Sequence, residues 1–204
     1  VVGAKLYYDD RTIQHAGIVI GLGAHRTAGH IHYKDENTHI GYMGRLCYAQ
    51  NVSAVTGACL MVSKEIYDRL SGLDEGFAVA LNDVDFCLKV REKGYLIVYN
   101  PFVEFWHDES KSRGQEDSPE KIKRFQGEIC RFEQKWGEIL DSGDPYYNVN
   151  LSLDTEVYHM KNIKVNYKID ETIALGGNAA YDKDNNEILL SVVSMMLTAD
   201  NTAS

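Results

Sequence analysis

The stretch "ALNDVDFCLKVREKGY", Ala80 to Tyr95, joins two carboxylates to a helical apolar pattern. Its apolar and long side chains recur every three or four residues, at Val84, Cys87, Leu88 and Arg91. That spacing predicts a helix, and Gly94 stands where a helix would end. Asp83 and Asp85 therefore lie at the predicted N-terminus of a helix, in front of its apolar face.

Two interpretations of these carboxylates are open. Acidic side chains near a helix N-terminus interact favourably with the helix dipole and its unpaired N–H groups. Alternatively, a carboxylate held at the end of an element can act as a general base on a hydroxyl nucleophile. Because Asn82 can itself cap the helix, Asp83 is not needed as a cap, which slightly favours the second interpretation for Asp83.

Upstream, the sequence predicts a β-hairpin followed by a long polar loop. Two β-rich runs, about Val2 to Tyr8 and Ile13 to Ile20, flank the turn "DDRT". Residues 24–45 lack periodicity and form the loop, and "VSAVTGACLMVS" (52–63) returns as a buried β run. The small residues Gly57 and Ala58 in its middle permit a close approach by a ligand or a neighbouring chain segment. Ser63 then caps a short helix.

Downstream, strands and one strong helix complete the pattern. "YLIVYNPFVEFWH" (95–107) predicts one or two strands broken near Asn100–Pro101, and "DESKSRGQED" (108–117) a charged loop. Ser118 caps the helix and Pro119 takes its first position. Its apolar stripe, which predicts a core-facing side, consists of Ile122, Phe125, Ile129, Phe132, Trp136 and Leu140. The order of elements predicts an α/β fold with a mixed sheet and flanking helices.

The residue pattern of the sequence changes after "DPYYNVNLSLD" (144–154). We predict a main domain over residues 1–157 and a short C-terminal extension over 158–204, which could begin a second unit.

The net charge of −9 argues against a nucleic-acid partner, because phosphate contacts need clustered Lys and Arg. No apolar run has the length of a membrane span, and four cysteines without a CxxC pair favour reduced thiols in the cytoplasm.

Several further residues could carry chemistry. His107 follows an aromatic β run, where a metal-ligand role competes with a structural or surface role. Lys111 and Arg113 could close over a diphosphate, although acidic neighbours make a solvated loop the simpler interpretation. The histidines of "GAHRTAGHIH" (23–32) match no common zinc spacing. Neither a GxGxxG fingerprint in a βαβ unit nor a GxSxG nucleophile elbow is present.

Three segments together resemble the second half of bacterial family 2 glycosyltransferases of the GT-A fold, the rhamnosyltransferase-like group. They are "VGAKLYYDDRTIQHAGIVIG", "AVTGACLMVSKEIYDRLSGLDEGFAVALNDVDFCLKVREKGY" and "HDESKSRG", and the resemblance ends near residue 155 with "DPYYNVNLSLD". It implies a partial GT-A-type mixed sheet. It also implies a transferase of polysaccharide or cell-envelope biosynthesis that moves a hexosyl or rhamnosyl group from a nucleotide-diphospho-sugar to a glycan hydroxyl with inversion.

The resemblance also implies roles for individual residues. Asp83 takes the place of the base that deprotonates the acceptor, next to Asn82, and Asp85 is the second acid of that motif, in a supporting position. Gly57 and Ala58 match the segment that lines the acceptor and sugar pocket. His107 matches a residue that holds the divalent metal, Mg or Mn, or the donor diphosphate. Lys111 and Arg113 match the flexible loop that folds over the donor.

The nucleotide-binding half of such enzymes, with its DxD-type metal motif, does not appear in the sequence. We therefore expect a fragment that lacks a complete donor site and is inactive by itself, and whose missing N-terminal half is its partner. The exposed sheet edge is compatible with self-association. The resemblance places the protein in the cytoplasm or at the inner face of the membrane. The alternative from another class is a non-catalytic module that keeps the fold and binds a glycan or a protein.

Overall fold

A computed structural model describes residues 1–108, 118–155, 158, 160–161, 178–181 and 187–190, the last two ranges as backbone only. The chain divides into two compact units, Val1–Asn162 and Ile163–Ser204. In the second unit, β8 (Asn178–Tyr181) and β9 (Glu187–Leu190) form an antiparallel pair. The functional boundary between residues 157 and 158 stays a prediction.

The main sheet of the first unit is mixed and is built around β1 (Val2–Tyr7). This strand pairs in parallel with β7 (Val98–Trp106) and antiparallel with β2 (Ile13–His15) and β6 (Leu60–Met61). A fifth strand, β5 (Gln50–Asn51), pairs antiparallel with the start of β7. The predicted α/β class with a mixed sheet and flanking helices is confirmed, and the arrangement is compatible with a partial GT-A-like fold.

The predicted hairpin is confirmed, but its second run is divided. Gly17 has a φ of 111°, a conformation that suits glycine, and it separates β2 from β3 (Ile18–Ile20). The strand β3 leaves the main sheet and pairs with β4 (Ala28–His30), which lies inside the predicted long loop. A single run of β-forming residues therefore contributes to two sheets.

Two other strand predictions need correction. The run 52–63 is not one strand: its first residues are buried, Ala54 forms an isolated bridge with Ile18, a 3-10 turn spans Gly57–Cys59, and β6 is the strand within it. The run 95–107 is not broken at Asn100–Pro101 either. The strand β7 continues through Pro101, and the pairing with β1 shifts there from Ala4–Asn100 to Lys5–Glu104. An irregularity in the ladder accommodates a proline, which cannot donate a ladder hydrogen bond.

The three helices begin and end near their sequence signals. The first, α1 (Lys64–Arg69), is capped by the Ser63 hydroxyl, and the third, α3 (Pro119–Ser142), by the Ser118 hydroxyl. Between them in sequence, α2 (Asn82–Glu92) ends before Gly94, whose φ is 80°. In the core, α2 packs against α3. The buried side chains are Phe86, Cys87, Leu88 and Val90 from α2, and Phe132 and Trp136 from α3.

The stripe on α3 is core-facing only in part. Phe132 and Trp136 are buried, whereas Ile122 near the start of the helix is exposed. Within the described residues, no helix combines the length and the apolar character that crossing a membrane requires. All four cysteines are free thiols.

Candidate functional site

A cleft of about 270 Å³ opens where the main sheet meets the small β3–β4 sheet. The backbone of β4 forms one wall of the cleft. The side chains that line the rest come from five separate parts of the chain: Tyr8, Gln14, His30, Tyr33, Thr56 and His107. Imidazole, amide, hydroxyl and phenol groups thus converge on one concave surface, a common property of binding sites for polar ligands.

His107 is held in place by Gln14. Its Nδ1 lies 2.9 Å from the Gln14 Oε1, and the Gln14 Nε2 donates to the His107 carbonyl oxygen at 3.3 Å. An amide oxygen can only accept, so His107 Nδ1 donates in this contact, and in the neutral ring the lone pair is then on Nε2. The backbone N–H of His107 also donates to the Tyr7 carbonyl at 3.0 Å. These contacts fix the ring at the cleft wall.

A pair of imidazoles lies beneath the cleft. The Nδ1 atoms of His15 and His30 are 3.2 Å apart, and the two rings meet edge to face. The Nε2 of His15 accepts the Thr56 backbone N–H at 3.4 Å. Burial, followed by the neighbouring His30, lowers the pKa of His15 well below its usual value. His15 is therefore a neutral ring that links two residues of the cleft, His30 and Thr56.

Asp83 does not line this cleft, but it is bonded to the backbone of Gly57, the neighbour of the cleft-lining residue Thr56. Its Oδ2 accepts the Gly57 N–H at 2.7 Å, and its Oδ1 accepts the Val84 N–H at 2.8 Å. Gly57 directly follows Thr56, which lines the cleft. Each carboxylate oxygen keeps a further lone pair, and the side chain is only half-buried. The geometry leaves Asp83 able to accept a proton from a hydroxyl group placed at this edge.

The start of α2 is shaped by backbone conformation, not by a side-chain cap. Leu81 occupies the N-cap position with a φ of 63°, and no side chain caps the helix there. The expectation that Asn82 caps α2 is therefore wrong, since Asn82 is the first helical residue. A left-handed residue turns the chain sharply into the helix, and this turn directs Asp83 towards Gly57.

Glu128 of α3 supports that turn, and the sequence analysis missed it. Its two carboxylate oxygens accept the backbone N–H groups of Val79 at 3.0 Å and Ala80 at 3.1 Å, and the side chain is buried. A signal was present, because Glu128 lies four residues before Phe132 on the apolar face of α3. A charged residue at a core-facing position has to be paired. Here its partners are Arg124, 3.8 Å away, and the backbone N–H groups of Val79 and Ala80, which precede Asp83.

The other predicted pocket residues separate into two places. Gly57 and Ala58 form the exposed 3-10 turn next to Thr56, and Asn82 is half-buried at the start of α2. Asp85, in contrast, is completely buried. It lies between α2 and α3, where the Trp136 indole N–H donates to its Oδ1 at 2.9 Å. The structure thus puts Asp85 in the helix packing and not on the cleft.

The predicted donor-binding residues Lys111 and Arg113 lie outside the described residues. His107 lies within them, but no group of three or more His, Cys, Asp or Glu side chains close enough to hold a metal forms around it in the described part of the chain. The described surroundings of His107 therefore do not fit a divalent metal by themselves.

Comparison with known proteins gives relatives by sequence. The chain is 51% identical over 154 residues to y4gI of Sinorhizobium fredii, an uncharacterized protein, and 33% identical over 153 residues to the O-antigen biosynthesis protein RfbC of Myxococcus xanthus. These matches cover 75% and 74% of the chain. A third relative, 31% identical over 65 residues, is the N-acetylglucosaminyl-diphospho-decaprenol L-rhamnosyltransferase of Mycobacterium tuberculosis, and that match covers 32% of the chain. No family model and no solved structure matches the chain.

The chain is much shorter than these relatives. The matches span 17% of y4gI, 12% of RfbC and 21% of the rhamnosyltransferase. At a coarse level, the names of the last two support a glycosyltransferase-like family for this chain.

Proposed function

We propose that residues 1–157 form the acceptor side of an inverting, family 2-type glycosyltransferase in which Asp83 is the general base. The observation that carries the proposal is the position of Asp83. Its carboxylate is oriented by two backbone N–H groups, stays partly exposed and is bonded to Gly57, the residue after Thr56, which lines the cleft together with His107. The relatives named for O-antigen biosynthesis and rhamnosyl transfer support the same reaction class.

The proposed reaction is a single displacement. An acceptor hydroxyl lies against Asp83 and transfers its proton to the carboxylate while its oxygen attacks the anomeric carbon of the donor sugar. The new C–O bond forms on one face of the sugar as the bond to the nucleoside diphosphate breaks on the other. The proton ends on Asp83, and the bonding electrons leave with the diphosphate.

Other cleft residues have positioning roles in this proposal. His107, with its proton on Nδ1, presents the Nε2 lone pair to a sugar hydroxyl, and the Thr56 hydroxyl can donate or accept on the same wall. Because Gly57 has no side chain and Ala58 only a methyl group, they leave space for an acceptor to approach Asp83. Lys111 and Arg113 are proposed to pair with the diphosphate.

A divalent metal, Mg or Mn, is the cofactor that the resemblance implies, and when bound it would neutralise charge on the diphosphate. Because the described residues around His107 do not supply a metal site, the reaction is derived without a step through the metal. The nucleotide-binding half is proposed to come from outside this sequence. The proposed location is the cytoplasm or the inner face of the membrane, where nucleotide sugars are available.

The test is Asp83→Asn in the longest polypeptide that carries this sequence. The assay follows nucleoside diphosphate release and glycan product with a panel of nucleotide hexoses that includes L-rhamnose. Asparagine keeps the oxygen that accepts one backbone N–H but cannot take a proton. We expect turnover to fall by about 10²- to 10⁴-fold, whereas the melting temperature should fall only slightly, because one backbone N–H loses its acceptor at a partly exposed site.

Asp68→Asn is the matched control, because Asp68 is an exposed acid on α1 whose carboxylate pairs with Lys64. It should keep full activity. Wild-type turnover in Asp83→Asn refutes the base assignment. Glycan binding without any transfer by the parent polypeptide would favour the non-catalytic module instead. Micromolar binding of a nucleotide sugar with Mn by the isolated chain would refute the prediction that it lacks a complete donor site.

A further inference from the structure

A cluster of metal-ligand side chains lies on the loop after β4, outside the proposed reaction. His32, Asp35 and His39 place one ligand atom each within 4.8 Å of one another. Asp35 Oδ2 lies 2.8 Å from His32 Nδ1 and 3.6 Å from His39 Nδ1. In a tetrahedral zinc site with Zn–N and Zn–O distances of about 2.0–2.2 Å, ligand atoms are roughly 3.3–3.6 Å apart. The distance of 2.8 Å is shorter than that range, and the distance of 3.6 Å lies at its upper end.

His32 has the character of a ligand and not of a surface histidine. Its side chain is 2% exposed, and its Nε2 has no hydrogen-bond partner. Its Nδ1 faces the Asp35 carboxylate oxygen, and the neutral form of the ring can bind a metal through this nitrogen. Nε2 is the ring atom that would hold the proton when Nδ1 binds a metal.

His39 gives a second, independent indication. Its Nδ1 accepts the Gly41 N–H at 3.3 Å, so this nitrogen carries its lone pair. The same lone-pair atom faces the Asp35 carboxylate oxygen at 3.6 Å. Two acceptors that face each other repel, and a cation between them removes the repulsion. The weak bond from Gly41 is the contact that a metal would replace.

We propose that His32, Asp35 and His39 bind one Zn²⁺ ion, with water as the fourth ligand. Two imidazoles and one carboxylate suit zinc better than Mg²⁺ or Ca²⁺, which prefer oxygen ligands alone. When His32 Nδ1 binds the metal, its proton moves to Nε2, which has no other partner. His39 is exposed, so its ring is free to rotate and close the remaining gap.

The site would be structural. The loop is already joined to β2, because Lys34 N donates to the Ile13 carbonyl and Ile13 N donates to the Asp35 carbonyl, both at 2.8 Å. Between the ligands His32 and Asp35 lies Tyr33, which lines the cleft. A metal bound by residues on both sides of Tyr33 would hold Tyr33 in place at the cleft. The proposal does not depend on the proposed reaction.

The sequence spacing did not reveal this site. The histidine-rich segment 23–32 contains only the first ligand, and its other histidines lie elsewhere: His25 packs on Phe125, and His30 contacts His15. The two remaining ligands follow at intervals of three and four residues, and two left-handed residues, His32 and Lys34, fold the loop so that the three converge.

The test is zinc binding by the whole chain after dialysis against a chelator. ZnCl₂ is titrated in competition with a chromophoric chelator, and Co²⁺ replaces zinc to give the visible absorption of a tetrahedral site. We expect one metal per chain. Asp35→Asn and His39→Gln should each weaken binding by at least about 10-fold, with unchanged circular dichroism, because both side chains are partly exposed.

Two variants control for other ligands. His25→Gln removes an exposed histidine of the same region, and Cys47→Ser removes an exposed thiol near the loop. Both should bind zinc as the wild type does. The proposal is overturned by a lack of stoichiometric binding, by wild-type affinity in Asp35→Asn and His39→Gln, or by loss of binding in either control.

Discussion

The backbone N–H of Gly57 donates to Asp83 Oδ2 at 2.7 Å, and this contact joins two segments 26 residues apart in sequence. It sets the direction of the carboxylate that we propose as the base. The absence of a side chain at Gly57 matters for the same contact, because a Cβ there would lie 3.2 Å from the Asp83 Cβ and 3.6 Å from its Oδ2. The turn and the carboxylate therefore fit each other closely.

Gly57→Ala should displace the Asp83 side chain by a few tenths of an ångström. Because catalysis depends on near-attack geometry, we expect turnover of the parent enzyme to fall by about 10-fold or more, while the melting temperature changes little at this exposed turn. The measurement is steady-state transfer together with thermal unfolding.

Gly127→Ala on α3 is the matched control, since a Cβ there meets nothing within 4 Å. It should leave turnover unchanged and stabilise the helix by roughly 0.5–1 kcal/mol. Equal losses of turnover in the two variants would contradict the proposed role of the Gly57 turn.

Glu128→Gln tests the support beneath Asp83. Glutamine can accept only one of the two N–H groups of Val79 and Ala80, and its amide N–H₂ faces the other donor. We expect the free energy of unfolding to fall by about 1–3 kcal/mol, and amide exchange to accelerate at Val79 and Ala80 in particular. Glu133→Gln, on the exposed side of α3, should change neither quantity. Unchanged exchange in Glu128→Gln would show that another group holds the turn.

Local signals in the sequence predicted the helices well. Ser63 and Ser118 cap their helices as expected, and Gly94 follows the end of α2 with a positive φ. Each of these features depends on a few neighbouring residues, so it can be read without the fold. The same is true of Asp83 at a helix start, which needs only the apolar spacing behind it.

Long-range contacts could not be predicted in this way. The run that begins at Val52 is buried, but its residues bond to separate segments: Val52 N donates to Ile97 O, and Ile18 N to Ala54 O. The cleft likewise unites Gln14, His30 and His107 through sheet pairing. Burial and propensity alone cannot specify which segments meet.

The pH dependence of stability can be predicted from Asp74. Its carboxylate accepts the Gly76 N–H at 2.9 Å and pairs with Arg131 at 3.0 Å and Lys135 at 3.1 Å, and these contacts lower its pKa to about 2. In the unfolded chain the pKa is about 3.9. Asp74 therefore contributes stability above pH 4, and that contribution is lost as the pH falls towards 2.

Asp74→Asn should therefore be less stable than the wild type at pH 6, and the difference should shrink between pH 4 and pH 2. Urea unfolding at pH 6, 4 and 2.5 measures this. In Asp68→Asn, which alters an exposed pair with Lys64, the difference from wild type should stay small throughout. A difference for Asp74→Asn that does not vary with pH would assign its effect to packing.

The contact between Asp85 and Trp136 joins α2 to α3 inside the core. Lys135 Nζ lies 2.6 Å from the same Asp85 oxygen, so the buried carboxylate has both a neutral donor and a cation. Trp136→Phe removes the indole donor but leaves the cation. We expect a loss of about 1.5–3 kcal/mol in the free energy of unfolding, the range for a hydrogen bond to a charged group.

Asp85→Ala should cost more, because it removes the acceptor of the Trp136 indole together with the carboxylate that pairs with Lys135. In the double variant the indole hydrogen bond is already absent, so the two losses should not add, and their coupling should exceed about 0.5 kcal/mol. Urea unfolding of the four proteins, followed by far-UV circular dichroism, measures this cycle. Strict additivity would mean that Trp136 stabilises α3 through ring packing alone, and that Asp85 acts through Lys135 and Lys89, which lie 2.6 and 3.9 Å from its carboxylate.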